Sequence, residues 1–192
     1  MLLATRGTNH SGALSDTAGR LGKEQWRIFV RRALFSIIMY YAMGVSAVKI
    51  ALAADHGGFR LKNEIKLFLE QRGHEILDCG CDCADSVDYP DYAVPAAQAV
   101  LDGRCARAIL VCGTGIGMSI AANKMSDIRC ALVHDTFSAK ATREHNDTNV
   151  LALGERVIGP GLALEIVAIW VDTPFSEDGR HARRIAKISA LE

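Results

Sequence analysis

The chain has 192 residues, 22 Lys and Arg against 22 Asp and Glu, and no formal net charge, which fits one domain and argues against a nucleic-acid or acidic-polymer partner. A small anionic substrate stays open, because it needs only a few locally placed cations. Hydrophobic residues make up 49% of the chain, enough for a real core, so the six cysteines (Cys79, Cys81, Cys83, Cys105, Cys112, Cys130) read as free thiols of a reducing cytosol, not as a disulfide scaffold.

Residues 1–45 do not resemble the remainder. "MLLATRGTNHSGALSDTAGRLGK" is polar and small without a sustained period, the composition of a disordered segment. "FVRRALFSIIMYYAMGVSAV" then sets two arginines before an apolar run that ends in small residues, the outline of a secretory signal or short anchor. The run from Ala33 to Ala42 is shorter than the roughly 20 apolar residues that span a bilayer. A targeting sequence, an extra amphipathic helix and a non-native extension upstream of a start at Met43 all fit. The extension is preferred, since free thiols oppose export.

From Val48 the pattern becomes regular. "VKIALAA" is a β-type apolar run. "GFRLKNEIKLFLEQRG" repeats Leu61, Ile65, Leu67 and Phe68 as a helix and closes on Gly73. "HEILDCG" is a second strand and "YAVPAAQAVLDG" a second helix with Pro95 in its first turns. "ARAILVC" is a third strand leading through a glycine turn into a helix that runs to Lys124. "IRCALVH", "TFSAKATREH", "NVLALG" and "GLALEIVAIWVDT" continue the alternation of strand and helix, and "GRHARRIAKISALE" is a basic amphipathic C-terminal helix. Apolar strands alternating with helices predict a parallel sheet covered on both faces, with ligands beyond the C-terminal strand ends. Asp55, His56, Cys112, Thr114, His134, Asp135 and Arg156 fall there.

The "CGCDC" cluster at 79–83 has no second cysteine pair at zinc-finger distance, although His74 is near, so a plain loop is expected and no metal. "GTGIGMS" raises dinucleotide binding, and Asp135 ends the next strand where a ribose-binding acid would sit. Two mismatches oppose this. The third glycine comes one position early, and the turn follows the third strand instead of the first of a βαβ unit.

Cys112 discriminates between the readings. It ends a strand just before a helix, where amides and the helix dipole favour a thiolate, although buried cysteines are also common filler. With Thr114 to shuttle protons and loop amides to hold an anion, the residues suit proton abstraction α to a carbonyl and an enediolate intermediate. In "REHNDTN", His145 can exchange a proton near neutral pH and Asn146 can hold an oxyanion, although a helix-capping cluster fits equally. Arg180 and Arg184 share a face at i, i+4, suited to a phosphate or to plain solvation.

Together, "ADHGGFRLK", "DYPDYA", "CGTGIGMSIAANK", "REHNDTNVLALGERV" and "GRHARR" resemble the type B ribose-5-phosphate isomerases, in the family shared with galactose-6-phosphate isomerase subunits. The resemblance runs from about Val48 to the C-terminus with every block in family order, and leaves residues 1–45 without a counterpart. It implies a Rossmann-like three-layer α/β/α sandwich over residues 46–192 with a five-stranded parallel sheet, a cytoplasmic homodimer or homotetramer, and no metal or cofactor. The implied reaction interconverts ribose 5-phosphate and ribulose 5-phosphate in the pentose phosphate pathway. By this resemblance Cys112 is the base, Thr114 assists, and His145 with Asp55 opens the furanose. Asn146 and the amides from Gly113 through Gly115 to Gly117 hold the enediolate. His56, Arg156, Arg180 and Arg184 bind phosphate, and Tyr89 lines the sugar. The resemblance also implies a pocket shared between subunits. An isomerase of a six-carbon sugar phosphate (allose or galactose 6-phosphate) and a non-catalytic nucleotide-binding module are the competing functions.

The α/β pattern closes without residues 1–45. A chain beginning at Met43 should therefore keep full activity and melt within about 2 °C of the full chain, a shift equivalent to less than ~1 kcal/mol at this length. Thermal unfolding of the two chains side by side checks this, and a large drop would mean that the segment packs on the domain.

Overall fold

A computed structural model describes residues 47–192. The readings made for residues 1–45 lie outside the described residues. Five strands and six helices alternate: β1 (Lys49–Ala54), α1 (Phe59–Gln71), β2 (Glu75–Asp78), α2 (Pro90–Leu101), β3 (Arg107–Cys112), α3 (Ile116–Ala122), β4 (Cys130–Leu132), α4 (Thr136–Asn146), β5 (Val150–Gly154), α5 (Pro160–Asp172) and α6 (Gly179–Ser189). All four strand pairings are parallel, in the order β2-β1-β3-β5-β4. The chain leaves β1 toward one edge and returns through β3 toward the other, so the C-terminal ends of β1 and β3 flank the switch point where parallel sheets open a crevice.

The two faces of the sheet bury different residues, as the period of two in a strand dictates. Ile50, Leu52, Ile109, Val111, Leu151 and Leu153 pack against Leu61, Ile65 and Leu69 of α1 and Ile166, Val167 and Trp170 of α5. The opposite face is rich in alanine. Ala51, Ala53 and Ala108 meet Ala93, Ala96 and Ala97 of α2 and Met118 and Ala122 of α3, so small residues on both sides let these helices approach the sheet closely. Cys112 lies on this second face, beneath α3. Within α1 the expected apolar stripe is corrected. Leu67 is 59% exposed, and the buried positions are Leu61, Lys62, Ile65 and Leu69, an i, i+4, i+8 row plus one lysine. Gly73 follows at φ +83°, the left-handed turn that ends the segment.

The N-terminal edge of the sheet is held by a polar layer around Trp170. The indole is fully buried and donates from Nε1 to Thr148 Oγ1 at 2.9 Å, with Arg107 and Arg143 at 5.3 and 5.9 Å from its ring. Arg107 Nη1 donates to the carbonyls of Trp170 (2.8 Å) and Val171 (2.7 Å), satisfying the end of α5. Arg143 donates to Asp147 Oδ1, to the Thr148 carbonyl and to the Thr173 carbonyl. Burial, with help from Arg143, pushes Arg107 down to about 10, which still leaves it charged at neutral pH. These bonds fix where α4 ends, where β5 begins and where the chain turns after α5.

Lys62 is buried, with its Nζ 2.8 and 3.0 Å from the two Asp78 oxygens. Burial pushes the Asp78 carboxyl up, but hydrogen bonds from Lys62, the Gly80 amide and Lys66 outweigh it and leave the group below its usual value. Removing the partner of a buried ammonium leaves an uncompensated charge, so Asp78→Ala should destabilise the fold by about 3 kcal/mol in urea titrations. Because the folded carboxyl is depressed, its stabilisation is complete above the unfolded value of about 3.9 and is lost as pH falls below it. The difference between wild type and variant should therefore shrink under pH 4.

Candidate active site

Cys112 is the last residue of β3 and is 6% exposed. Its Sγ accepts the Gly115 N–H at 3.0 Å, which ties the sulfur to the glycine turn. The turn that aims this amide requires glycine. Gly115 stands at φ +77°, and a Cβ there would lie 2.5 Å from Leu132 Cδ1 and 2.9 Å from the Leu153 carbonyl carbon. The next glycine contact comes from β5, where a Cβ on Gly154 would stand 2.6 Å from the carbonyl carbon of Thr114. The backbone beyond β5 continues the clamp, since Glu155 N–H donates to the Cys112 carbonyl (2.9 Å) and Arg156 N–H to the Gly113 carbonyl (3.0 Å). Thr114 Oγ1 is exposed at the mouth of the turn and accepts the Ile116 N–H at 3.3 Å.

Asp55 follows β1, buried, with its Oδ1 accepting the Gly57 N–H at 2.8 Å. That turn presses on the loop after β3, because a Cβ on Gly57 would lie 3.0 Å from Gly113 N. His56 Nδ1 accepts the Val87 N–H at 3.2 Å, so its remaining proton is on Nε2, a donor able to meet an anion. The Arg156 side chain lies across Gly113, and the Tyr89 ring lies over Gly117, where a Cβ would be 2.8 Å from Cζ. Asp55, His56, Tyr89, Cys112, Gly113, Thr114, Gly115, Gly117 and Arg156 thus gather at the C-terminal strand ends around the β1–β3 gap.

The other expected residues stand at the opposite edge. α4 starts at the C-terminal side of the sheet and runs down to the start of β5, so His145 and Asn146, its last two residues, reach the N-terminal edge. Arg129, just before β4, donates to the Asn146 and Asp147 carbonyls there. α6 begins at the same place: Ser176 donates to the Glu144 carbonyl, and the His181 ring stacks on His145 with centroids 4.4 Å apart and planes 11° from parallel. Arg180 lies against Asp178 at 3.0 Å, and Arg184 is exposed one turn on. At about 3.3 Å per residue, the five residues of β5 put roughly 13 Å between the two edges. A single chain therefore does not bring His145, Asn146, Arg180 or Arg184 to Cys112.

Two further residues escaped the sequence reading. Glu155 Oε2 accepts the Leu61 N–H at 3.0 Å and supplies the cap that Gly58 cannot give α1, tying that helix to the Cys112 loop. The missing cap at "HGGF" was the available signal. His181 is the other, a histidine among arginines on a basic helix, whose partner only the fold reveals. Asp135, the acid a dinucleotide would need, is committed elsewhere. It caps α4 by accepting the Ser138 N–H at 2.7 Å, and that bond holds its carboxyl below the usual range. The remaining thiols are of another kind. Burial pushes Cys79, Cys81 and Cys105 up and Cys130 to about 12, and Cys81 donates to the Cys83 carbonyl within its loop. Among the described residues no helix is long and apolar enough to cross a membrane.

Residues 50–188 match the sequence profile of the Ribose/Galactose Isomerase family. The chain belongs to that family. Its member in Escherichia coli named ribose-5-phosphate isomerase B is 48% identical over 144 residues, covering 75% of this chain and 96% of that one. YwlF of Bacillus subtilis, named only provisionally and without a stated sugar as a sugar phosphate isomerase, is 63% identical over 146 residues, 76% of this chain and 97% of its own length. The solved structure of Clostridium thermocellum ribose-5-phosphate isomerase B superposes with a TM-score of 0.73 at 51% identity, covering 74% of this chain and 96% of that one. The present chain is accordingly an aldose–ketose isomerase of sugar phosphates with the Rossmann-like fold of the type B ribose-5-phosphate isomerases.

In this isomerase β5 meets the Thr114 backbone at Gly154, where no side chain intervenes. Gly154→Ala should push the Thr114 backbone by several tenths of an ångström, tilt the Gly115 amide off the sulfur and lower kcat by about 10²-fold, the scale of a misplaced catalytic group. Steady-state kinetics with a circular dichroism control checks this outcome.

Proposed function

We propose that the enzyme interconverts ribose 5-phosphate and ribulose 5-phosphate through a cis-enediolate, in sites built jointly by two copies of the chain. The observation that carries the reading is the Cys112 sulfur held by the Gly115 amide beside Asp55, His56 and the glycine turn. In this reading the thiolate takes the proton from C2 of the open aldose and returns it to C1, and Thr114 passes a proton between O1 and O2. The amides of Gly113 to Gly117 carry the charge that builds on the enediolate oxygen, where preorganised donors do most. His56 and Arg156 receive the phosphate and Tyr89 flanks the sugar. The groups still missing from that list, a ring-opening acid, an amide for the oxyanion and two further phosphate cations, are His145, Asn146, Arg180 and Arg184 at the other edge. A second copy turned end to end would bring its N-terminal edge to the first copy's thiol, and this separation of the groups supports a homodimer or homotetramer with shared sites. The free thiols suit a cytoplasmic setting. A six-carbon sugar phosphate would need the same chemistry in a pocket one carbon longer.

Purified enzyme assayed with ribose 5-phosphate and with allose and galactose 6-phosphate, EDTA present, tests the substrate. A higher kcat/KM on a six-carbon sugar would overturn the pentose assignment. Cys112→Ser should lose about 10² to 10⁴ in kcat with the fold intact, the range for a missing general base. Mixing Cys112→Ser chains with His145→Asn chains tests the shared site. With random exchange half of the dimers are mixed, each with one intact site, so about a quarter of wild-type activity should return. No recovery despite exchange seen by native mass spectrometry would mean that each chain builds its own site.

A further inference from the structure

His145 needs a fixed orientation to protonate or deprotonate a ring oxygen, yet it is exposed on the last turn of α4. Among the described residues no side-chain hydrogen bond holds its ring. Its contact is the stack on His181, with centroids at 4.4 Å and planes 11° apart, and His181 is itself 5% exposed and rooted one turn into α6. The start of α6 is rigid for its own reasons. Asp178 caps it by accepting the Arg180 N–H at 2.9 Å, and the His181 N–H donates to the Asp178 carbonyl at 2.8 Å. The Arg180 Nε–H donates to His181 Nε2 at 3.4 Å, and the same nitrogen lies 3.0 Å from Asp178 Oδ2 as an ion pair. A nitrogen that accepts carries no proton, so the His181 proton is on Nδ1 and the ring is neutral.

The charges around His181 agree with that tautomer. Burial lowers its affinity for a second proton, and His145 from α4 with Arg180 and Arg184 from α6 lower it further, while Asp178 alone acts the other way. Lowered in this way, His181 favours its uncharged form, and a neutral ring can lie flat on a second imidazole, whereas two imidazolium rings at 4.4 Å would repel.

We propose that His181 is the positioning residue of the ring-opening histidine: its buried, uncharged ring is the platform that sets where the His145 imidazole stands. The inference rests on the isomerase reading given above. Because both rings belong to one chain, the platform travels with His145 to whichever site it enters, which a residue contributed by the opposite copy could not guarantee.

The test separates ring opening from enolisation. Ribose 5-phosphate must be opened, but ribulose 5-phosphate is acyclic, since the hydroxyl that would close its ring carries the phosphate. Solvent deuterium entering C1 of ribulose 5-phosphate therefore reads the Cys112 step without ring opening. His181→Leu fills the space without a flat face, and His181→Phe keeps the face without nitrogens. The Leu variant should turn over ribose 5-phosphate about tenfold more slowly or worse, as expected for a misplaced catalytic group, with deuterium exchange within about threefold of wild type. The Phe variant should recover most of the loss, because the aromatic face supplies the contact. His181→Gln replaces the Leu variant should that chain melt below the assay temperature. Equal losses in turnover and exchange, no loss in either, or a Phe variant no better than the Leu variant would overturn the proposal. Absence of both turnover and exchange in the unsubstituted chain would overturn the isomerase reading instead.

Discussion

The hydrogen bond from the Gly115 amide to the Cys112 sulfur organises the C-terminal edge of this molecule. Placing an N–H on a sulfur at the end of a buried strand demands a left-handed residue, a loop pressed to within van der Waals distance of β5, and a neighbour without a side chain at Gly154. The backbone bonds from Glu155 and Arg156 to the Cys112 and Gly113 carbonyls complete the demand. Glycine at 57, 115 and 154 is thus a consequence of one sulfur needing one amide.

That local clamp is set within a second constraint, the direction of a parallel sheet. Every strand ends on the same side, so every strand-to-helix loop adds to the crevice and every helix-to-strand turn leads away from it. Residues encoded at a helix-to-strand turn are carried to the far edge. His145 and Asn146 are such residues, and the chain then brings α6 to the same place through the Ser176 and Arg143 contacts. The far edge is accordingly polar and well bonded, with Trp170 beside Arg107 and Arg143, which donate to carbonyls at the end of α5 and at Thr148. The reaction proposed for His145 would draw on a stiff edge of this kind, and the stack on His181 is its last link.

Much of this was legible in the sequence, for identifiable reasons. The apolar runs, their alternation with helices and the closing glycine at 73 are local signals with a fixed period, and they determined the α/β class and the five parallel strands. Loops after strands were legible for the same reason, since sheet direction assigns Asp55, His56, Cys112, Thr114 and Arg156 to one edge without any knowledge of side-chain packing. The reading of α1 failed at Leu67 because residues at i, i+2 and i+3 satisfy an apolar count while pointing to different sides. Only the sheet decides which side is inside.

The tertiary structure decided what depends on residues distant in the chain. That Gly115 turns its amide to the sulfur depends on Gly154 and Leu132, neither adjacent to it in sequence. Glu155 caps a helix 94 residues earlier, a pairing with no local signature. His145 and His181, 36 positions apart, meet because α4 runs down the sheet and α6 returns to its end. The sequence by itself determined the fold class, the thiol and the residues grouped at the strand ends, because those follow from short-range periodicity and chain direction. The separation of the Cys112 turn from His145 and the C-terminal arginines, and the pairing of His145 with His181, followed from the packing of elements far apart in the chain, which no local pattern encodes.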